Sequence, residues 1–156
     1  SALEVSMAII LAALTRSFLI AIISIGVFSL IVEMPINNIL FIFIFGFLSA
    51  FILGSLGFIT GLWAEKFDHT ATVTNFVITP LSFLSGVFYS IDKLPKFFQT
   101  ISHINPFFYM IDGFRYGFLG KSDGSISVGL IYLTILSIAM WYVAFFLYKK
   151  GYKIKS

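Results

Sequence analysis

The sequence predicts an all-α integral membrane protein: four transmembrane helices, with a re-entrant or interfacial helical hairpin before the last of them. Three observations carry that expectation. Only 11% of the 156 residues are charged and 59% are hydrophobic, with a mean hydropathy of +1.01, whereas a soluble domain carries about a quarter charged residues. The charges are bunched, which leaves apolar runs of the roughly 20 residues that cross a hydrocarbon core. Residues 91–125, in contrast, are too charged to cross and too aromatic for a loop in water, as expected of helices held at headgroup depth. The spans fall at about 11–32, 39–63, 70–90 and 126–148, with the outer hairpin at about 95–118, in one transmembrane domain covering 1–156.

The first apolar run is interrupted by Arg16, costly at mid-bilayer. It is expected to snorkel to an interface while residues 17–32 cross and the preceding residues form an interfacial or cytoplasmic helical lead. Glu33, Met34 and Pro35 end this helix, and a short connector holds Asn37 and Asn38. The second run, 39–63, has no charge. Gly46, Ala50, Gly54, Gly57 and Gly61 recur along it at three- and four-residue steps, a stripe of small residues that lets another helix approach closely, within the chain or from a second subunit. Trp63 marks an interface. The turn Glu65, Lys66, Phe67, Asp68, His69 reads as a solvated connection, and His69 has no second ligand at metal-binding spacing.

The third run differs in kind. Thr72, Asn75, Thr79, Ser82 and Gly86 share one helical face. Hydroxyls and amides in hydrocarbon need partners, so this face is expected against other helices or along a hydrated passage. Pro80 removes a backbone donor and is expected to kink the helix. In the following segment Pro95 suits a first helical position, and Phe97, Phe98, Ile101 and Ile104 gather on one side. Asn105 and Pro106 stop that helix and start another, whose apolar face (Phe107, Met110, Ile111, Phe114, Phe118) opposes Asp112 and Arg115. These two stand three apart and can pair. His103 is isolated. The last run carries Trp141 and Tyr142 near its end, then Lys149, Lys150, Lys153 and Lys155. Placing that tail in the cytoplasm leaves six basic residues inside against four outside, in the sense of the positive-inside rule.

The chain has no cysteine, which excludes disulfides and thiolate metal sites. Its charge of +3 comes mostly from the tail and is no nucleic-acid footprint. Ser1 and Glu4 do not read as the basic lead of a signal peptide. No nucleophile–base set, metal cluster or phosphate-binding glycine loop appears, and no acid lies within a span to drive a pump. Energy for transport would have to come from another protein. The competing classes are a membrane-embedded lipid-modifying enzyme, with Asp112, Arg115 and His103 as its candidates, and a non-transporting scaffold.

Residues 63–120 closely resemble the second half of ABC-2 type exporter permeases. The telling motifs are TPLSFLSGVFYSIDKLP at 79–95 and INPFFYMIDGFRYGFLG at 104–120, with a weaker match around Arg16 in SALEVSMAIILAALTRSFLI. The resemblance implies spans three to six of a six-span permease, hence a C-terminal portion of a longer chain, in the bacterial inner membrane. It implies ATP and magnesium on a separate ATPase subunit and none in this chain, a second permease copy as partner, and contact with membrane lipid. The 65–69 turn would touch the ATPase. Thr72, Asn75, Thr79, Ser82 and Gly86 would line the substrate passage. Pro95, Asn105, Pro106, Asp112 and Arg115 would belong to a re-entrant outer gate. The exported substrate is not read from either line.

Overall fold

The computed structural model describes residues 1–64 and 67–151. Glu65 and Lys66 of the expected ATPase-facing turn, and Lys153 and Lys155 of the tail, lie outside them. The described elements are helical throughout: α1 (Ala2–Ser29), α2 (Ile39–Trp63), α3 (Phe67–Val73), a π-helical segment (Thr74–Ile78), α4 (Thr79–Phe83), a 3-10 turn (Ile91–Lys93), α5 (Lys96–Ile104), α6 (Pro106–Leu119) and α7 (Ile126–Lys149).

Among the described residues three helices are long and apolar enough to cross a membrane: α1 with 28 residues, α2 with 25 and α7 with 24. Their outward faces are as oily as a soluble core. Leu19, Ile20, Ile22 and Ile23 of α1, and Ile131, Ile135 and Ile138 of α7, are all at least 60% exposed, which water would not tolerate over so large an area. The interior instead holds buried hydroxyls, Ser49, Thr60 and Ser137 among them. Each is bonded to the carbonyl four residues back in its own helix.

α2 is the centre of the bundle, packed against α1, α6 and α7. Phe45, fully buried, fills the core with Phe108, Tyr109, Met110, Ile52, Ile91 and Leu133. Asn38 starts α2 by accepting from the backbone of Leu40 and Phe41, as an N-cap does. The same connector closes the far end of α6. The backbone N–H groups of Asn37 and Asn38 donate to the Gly117 carbonyl at 3.1 and 2.8 Å. Gly120 ends α6 in the left-handed region (φ 69°), where a Cβ would also press on Asn37 at 3.0 Å.

Two boundaries differ from the sequence reading. The first helix runs unbroken from Ala2, so Arg16 lies halfway along it and not at its start. The third is helical only over 67–83, about 25 Å at 1.5 Å per residue, and residues 84–90 are turn and bend. Pro80 does not simply kink it. Lacking an N–H and crowding the carbonyl four residues back, it is preceded by a widened π turn. The Thr79 backbone N–H reaches the Thr74 carbonyl, five residues away, and the Thr79 hydroxyl donates to the same oxygen at 2.9 Å. Pro80→Ala is expected to return Thr74–Ile78 to α register. Hydrogen exchange at residues 78–82 should then slow relative to the parent; unchanged exchange would refute proline as the cause.

Candidate functional site

The helix that ends at Phe83 leaves its last carbonyls without intrahelical donors, and in a membrane each must be satisfied by protein. The Pro80 and Ser82 carbonyls accept from the backbone of Leu84 and Ser85, and the hairpin donates to Leu81 and to two carbonyls of the turn that follows. Asn105 Nδ2 donates to the Leu81 carbonyl at 2.6 Å, Ser102 Oγ to Leu84 at 3.0 Å, and Arg115 Nη2 to Gly86 at 2.6 Å. Tyr89 Oη closes Phe83 at 2.9 Å. The end of the third helix and the turn after it are therefore tied to the α5–α6 hairpin by three side-chain hydrogen bonds.

Arg115 is the pivot. Its Nη1 pairs with Asp123 at 2.7 Å and approaches Asp112 at 3.6 Å. Ser90 Oγ donates to the same Asp123 oxygen at 3.3 Å. Asp112 is only 2% exposed, and its carboxylate accepts the backbone N–H of Asp123 at 2.7 Å and of Gly124 at 3.0 Å. Two acids against one guanidinium are thus balanced by two backbone dipoles, each a charge-assisted bond. Asp112 was expected opposite the apolar face; it is buried instead, holding the α6–α7 loop. Burial first, then Tyr132 and Asp112, pushes the Tyr109 phenol above its ordinary range.

The other residues expected in the hairpin have local roles. Pro95 is the N-cap of α5, one place before the expected first helical position, and Pro106 stands in the first turn of α6. Asn105 joins the two helices, its Oδ1 accepting from Phe107 N at 3.0 Å while its amide reaches Leu81. Tyr132 of α7 donates to the Ile104 carbonyl at 2.7 Å. Since Gly113 and Gly117 press on Phe45 and Ile42, α6 is wedged into the bundle beside α2. It does not lie flat on a surface.

Thr72, Thr79 and Ser82 each bond a carbonyl of their own helix, so the partners expected from neighbouring helices are found locally. Thr72, Asn75 and Thr79 are exposed, and Asn75 makes no side-chain hydrogen bond among the described residues. The closest neighbours of Thr74–Ile78 are the flanking α3 and α4; Thr74 and Ile78 share a cavity of about 280 Å³ with Leu53, Leu56 and Gly57 of α2, and on the other side Phe76 is 78% exposed. Gly86 is not on this face. It lies beyond the helix at φ 80°, buried, and presents its carbonyl to Arg115.

The stripe of small residues divides in two. A Cβ on Gly46 would meet Phe114 at 3.3 Å and one on Gly54 would meet Ala13 at 3.0 Å, but around Gly57 and Gly61 nothing lies within 4 Å. Ala50 lines the open cavity there. His69 stacks near Trp63 with ring centroids 5.3 Å apart, and His103 sits edge-on to Phe108. Among the described residues no cluster of His, Cys, Asp or Glu could hold a metal. Sequence reasoning missed Asp123, Ser90 and Ser102. Nothing local marks them, because their partners are 8, 33 and 18 residues away.

A bundle of apolar helices closed at one end by a wedged hairpin, with an interrupted polar helix bonded beside it, defines a multi-pass helical membrane protein. The family model for ABC-2 type transporters matches residues 1–119, and the chain belongs to that family. It is 40% identical over 109 residues to the inner membrane transport permease YadH of Escherichia coli K12, covering 70% of this chain and 43% of that one. It is also 27% identical over 97 residues to Nodulation protein J of Sinorhizobium fredii NGR234 (62% and 37% covered). A third relative, Nodulation protein J of Rhizobium leguminosarum bv. viciae, is 31% identical over 90 residues (58% and 35%). The chain thus spans less than half the length of these relatives. No solved structure matches it.

Proposed function

We propose that this chain forms the passage and outer gate of an exporter permease that works as a dimer and is driven by ATP bound to a separate subunit. The observation that carries the reading is a set of three hydrogen bonds from the hairpin, one to Leu81 in the last turn of the interrupted helix and two to Leu84 and Gly86 in the turn that follows it. A helix with a free polar side and a cap on the opposite end from the lysines are here one mechanical unit. Tilting the helix by its cytoplasmic end must therefore displace the cap. In this reading Thr72, Asn75, Thr79 and Ser82 face the passage, shared with a second copy that covers the open side of Thr74–Ile78. Lys149 and Lys150 lie in the cytoplasm, where the ATPase docks. ATP shifts the population between closed and outward-open states, by as much as the two states differ in their affinity for it.

The lipid-modifying reading is weaker, because both oxygens of Asp112 are already occupied by backbone and Arg115. The gate is testable by tethering. Ser90 Oγ and Asp123 Oδ2 are 3.3 Å apart, and the described chain has no cysteine. In the full-length permease with its ATPase in proteoliposomes, a short thiol cross-link across Ser90→Cys and Asp123→Cys is expected to stop ATP-dependent transport. Reductant should restore it to the level of the unlinked double variant. Transport that continues while the cross-link is complete would overturn the gate assignment.

A further inference from the structure

The π-helical segment Thr74–Ile78 joins two stretches that are held by different parts of the molecule. Beyond it, the Leu81, Leu84 and Gly86 carbonyls are bonded to the hairpin. Before it, α3 packs against α2, and His69 lies against Trp63 at the end of that helix. A π turn takes in one residue more than the α turn it replaces. At 3.6 residues per α turn, one residue is worth about 100°. Returning the segment to α register would therefore turn α3 by about 100° about its own axis, with the hairpin bonds kept.

Pro80 leaves the two registers with the same number of backbone bonds. It has no N–H, so one bond is missing whichever carbonyl would have received it. The bonds that do form can change address. The backbone N–H and the hydroxyl of Thr79 both donate to the Thr74 carbonyl, five residues back. In α register both would reach the Asn75 carbonyl, four residues back, where a helical threonine ordinarily bonds. What favours the π form is its wider turn, which relieves the crowding of the Pro80 ring against the carbonyl four residues before it.

The side chains that α3 shows to α2 depend on the register. Thr70, Val73 and Thr74 line the cavity of about 280 Å³ between the two helices, with Gly57 and Thr60 opposite. A turn of one residue puts Ala71 and Thr74 in the places of Thr70 and Val73, and Val73 where Thr72 stood. A hydroxyl leaves that side of the helix and an isopropyl group replaces it.

We propose that Thr74–Ile78 is a register switch, whose π form turns Thr72 toward the passage and whose α form turns Val73 there in its place. Its consequence for transport rests on the passage reading above, whereas the turn itself rests on bonds within this chain. Two-state elements of this kind let a bias applied at one end of a helix be read as a rotation, without breaking the contacts at the other end. Nucleotide binding to the ATPase, acting on the end of α3 beside Trp63, supplies that bias.

The test places cysteine pairs in the full-length permease, with any other cysteines removed and its ATPase present, in proteoliposomes. Cross-linking by a short bis-maleimide is read with and without a non-hydrolysable ATP analogue. T60C with T70C reports the π register, since both positions line one cavity, and T60C with A71C reports the α register. Without nucleotide the first pair is expected to link faster; with the analogue the ratio should invert. P80A should favour the second pair in both conditions. T79V, which removes the hydroxyl from the Thr74 carbonyl, should move the ratio toward the second pair by about fivefold, the equilibrium worth of one hydrogen bond. A ratio that does not respond to nucleotide would overturn the switch, because a tilt without a turn moves both pairs alike. P80A with the parental ratio would overturn it too. A ratio that inverts in a permease whose transport is unaltered by T72V would keep the switch and discard the passage.

Discussion

Gly113→Ala is expected to lower the unfolding midpoint more than any other single methyl added to the helices. An alanine Cβ at Gly113 would lie 2.1, 2.2 and 2.4 Å from Cδ1, Cγ and Cε1 of Phe45. These are ring atoms near the root of a fully buried side chain, so they cannot swing away as the end of a flexible chain would. Behind Phe45 lies Gly129 of α7, whose own Cβ position is 3.6 Å from Phe45 Cε1 and 3.1 Å from Tyr109. The ring has nowhere to go, and α6 must lift from α2. Overpacking of this kind costs about 1–3 kcal/mol, and the top of that range is expected here. Gly57→Ala is the control. With nothing within 4 Å, it should leave stability unchanged or raise it by up to about 1 kcal/mol, the direction given by helix propensity. The measurement is thermal unfolding in detergent, and coincident curves for the two variants would mean that α6 does not seat on α2 as described.

The contrast between those glycines also shows what the sequence discloses. Long uncharged runs announced α2 and α7 because a single property, hydrophobic length, decides them. Asn105 and Pro106 announced the hairpin because capping is local. The α2 stripe read as the packing face, yet its tightest partners lie across it. The closest approaches in the bundle are at Gly113 and Gly117 of α6, a small-xxx-small pair written in GFRYG. Its aromatic and charged neighbours made the segment look like a surface helix. The length of the third helix was misread because residues 84–90 stay apolar after the helix has ended. Hydropathy tracks where a segment resides and says little about which carbonyls still find donors. Those donors come from residues 102, 105 and 115, whose distances in sequence carry no periodic signal.

Asp112→Ala is expected to be the most damaging polar substitution, costing about 3–5 kcal/mol, as breaking a buried charge pair from one side does. It strands the backbone N–H groups of Asp123 and Gly124, and it leaves Arg115 with Asp123 alone. Gly124 cannot shift inward to compensate, since it already sits where a Cβ would be 2.9 Å from Phe108. Asp112→Asn keeps the shape and one acceptor but sets an amide N–H₂ against a backbone N–H. Its expected cost is smaller, roughly 1–3 kcal/mol. Thermal unfolding of the two variants beside the parent orders them, and the order discriminates function as well as fold. An acid that donates protons to a lipid substrate would lose turnover in the asparagine variant with stability intact. A carboxylate that ties α6 to the α6–α7 loop loses stability in proportion to the bonds removed. Its asparagine variant should still transport at a temperature where it remains folded. Full stability in Asp112→Asn would contradict the bonding described and return Asp112 to the list of reactive groups.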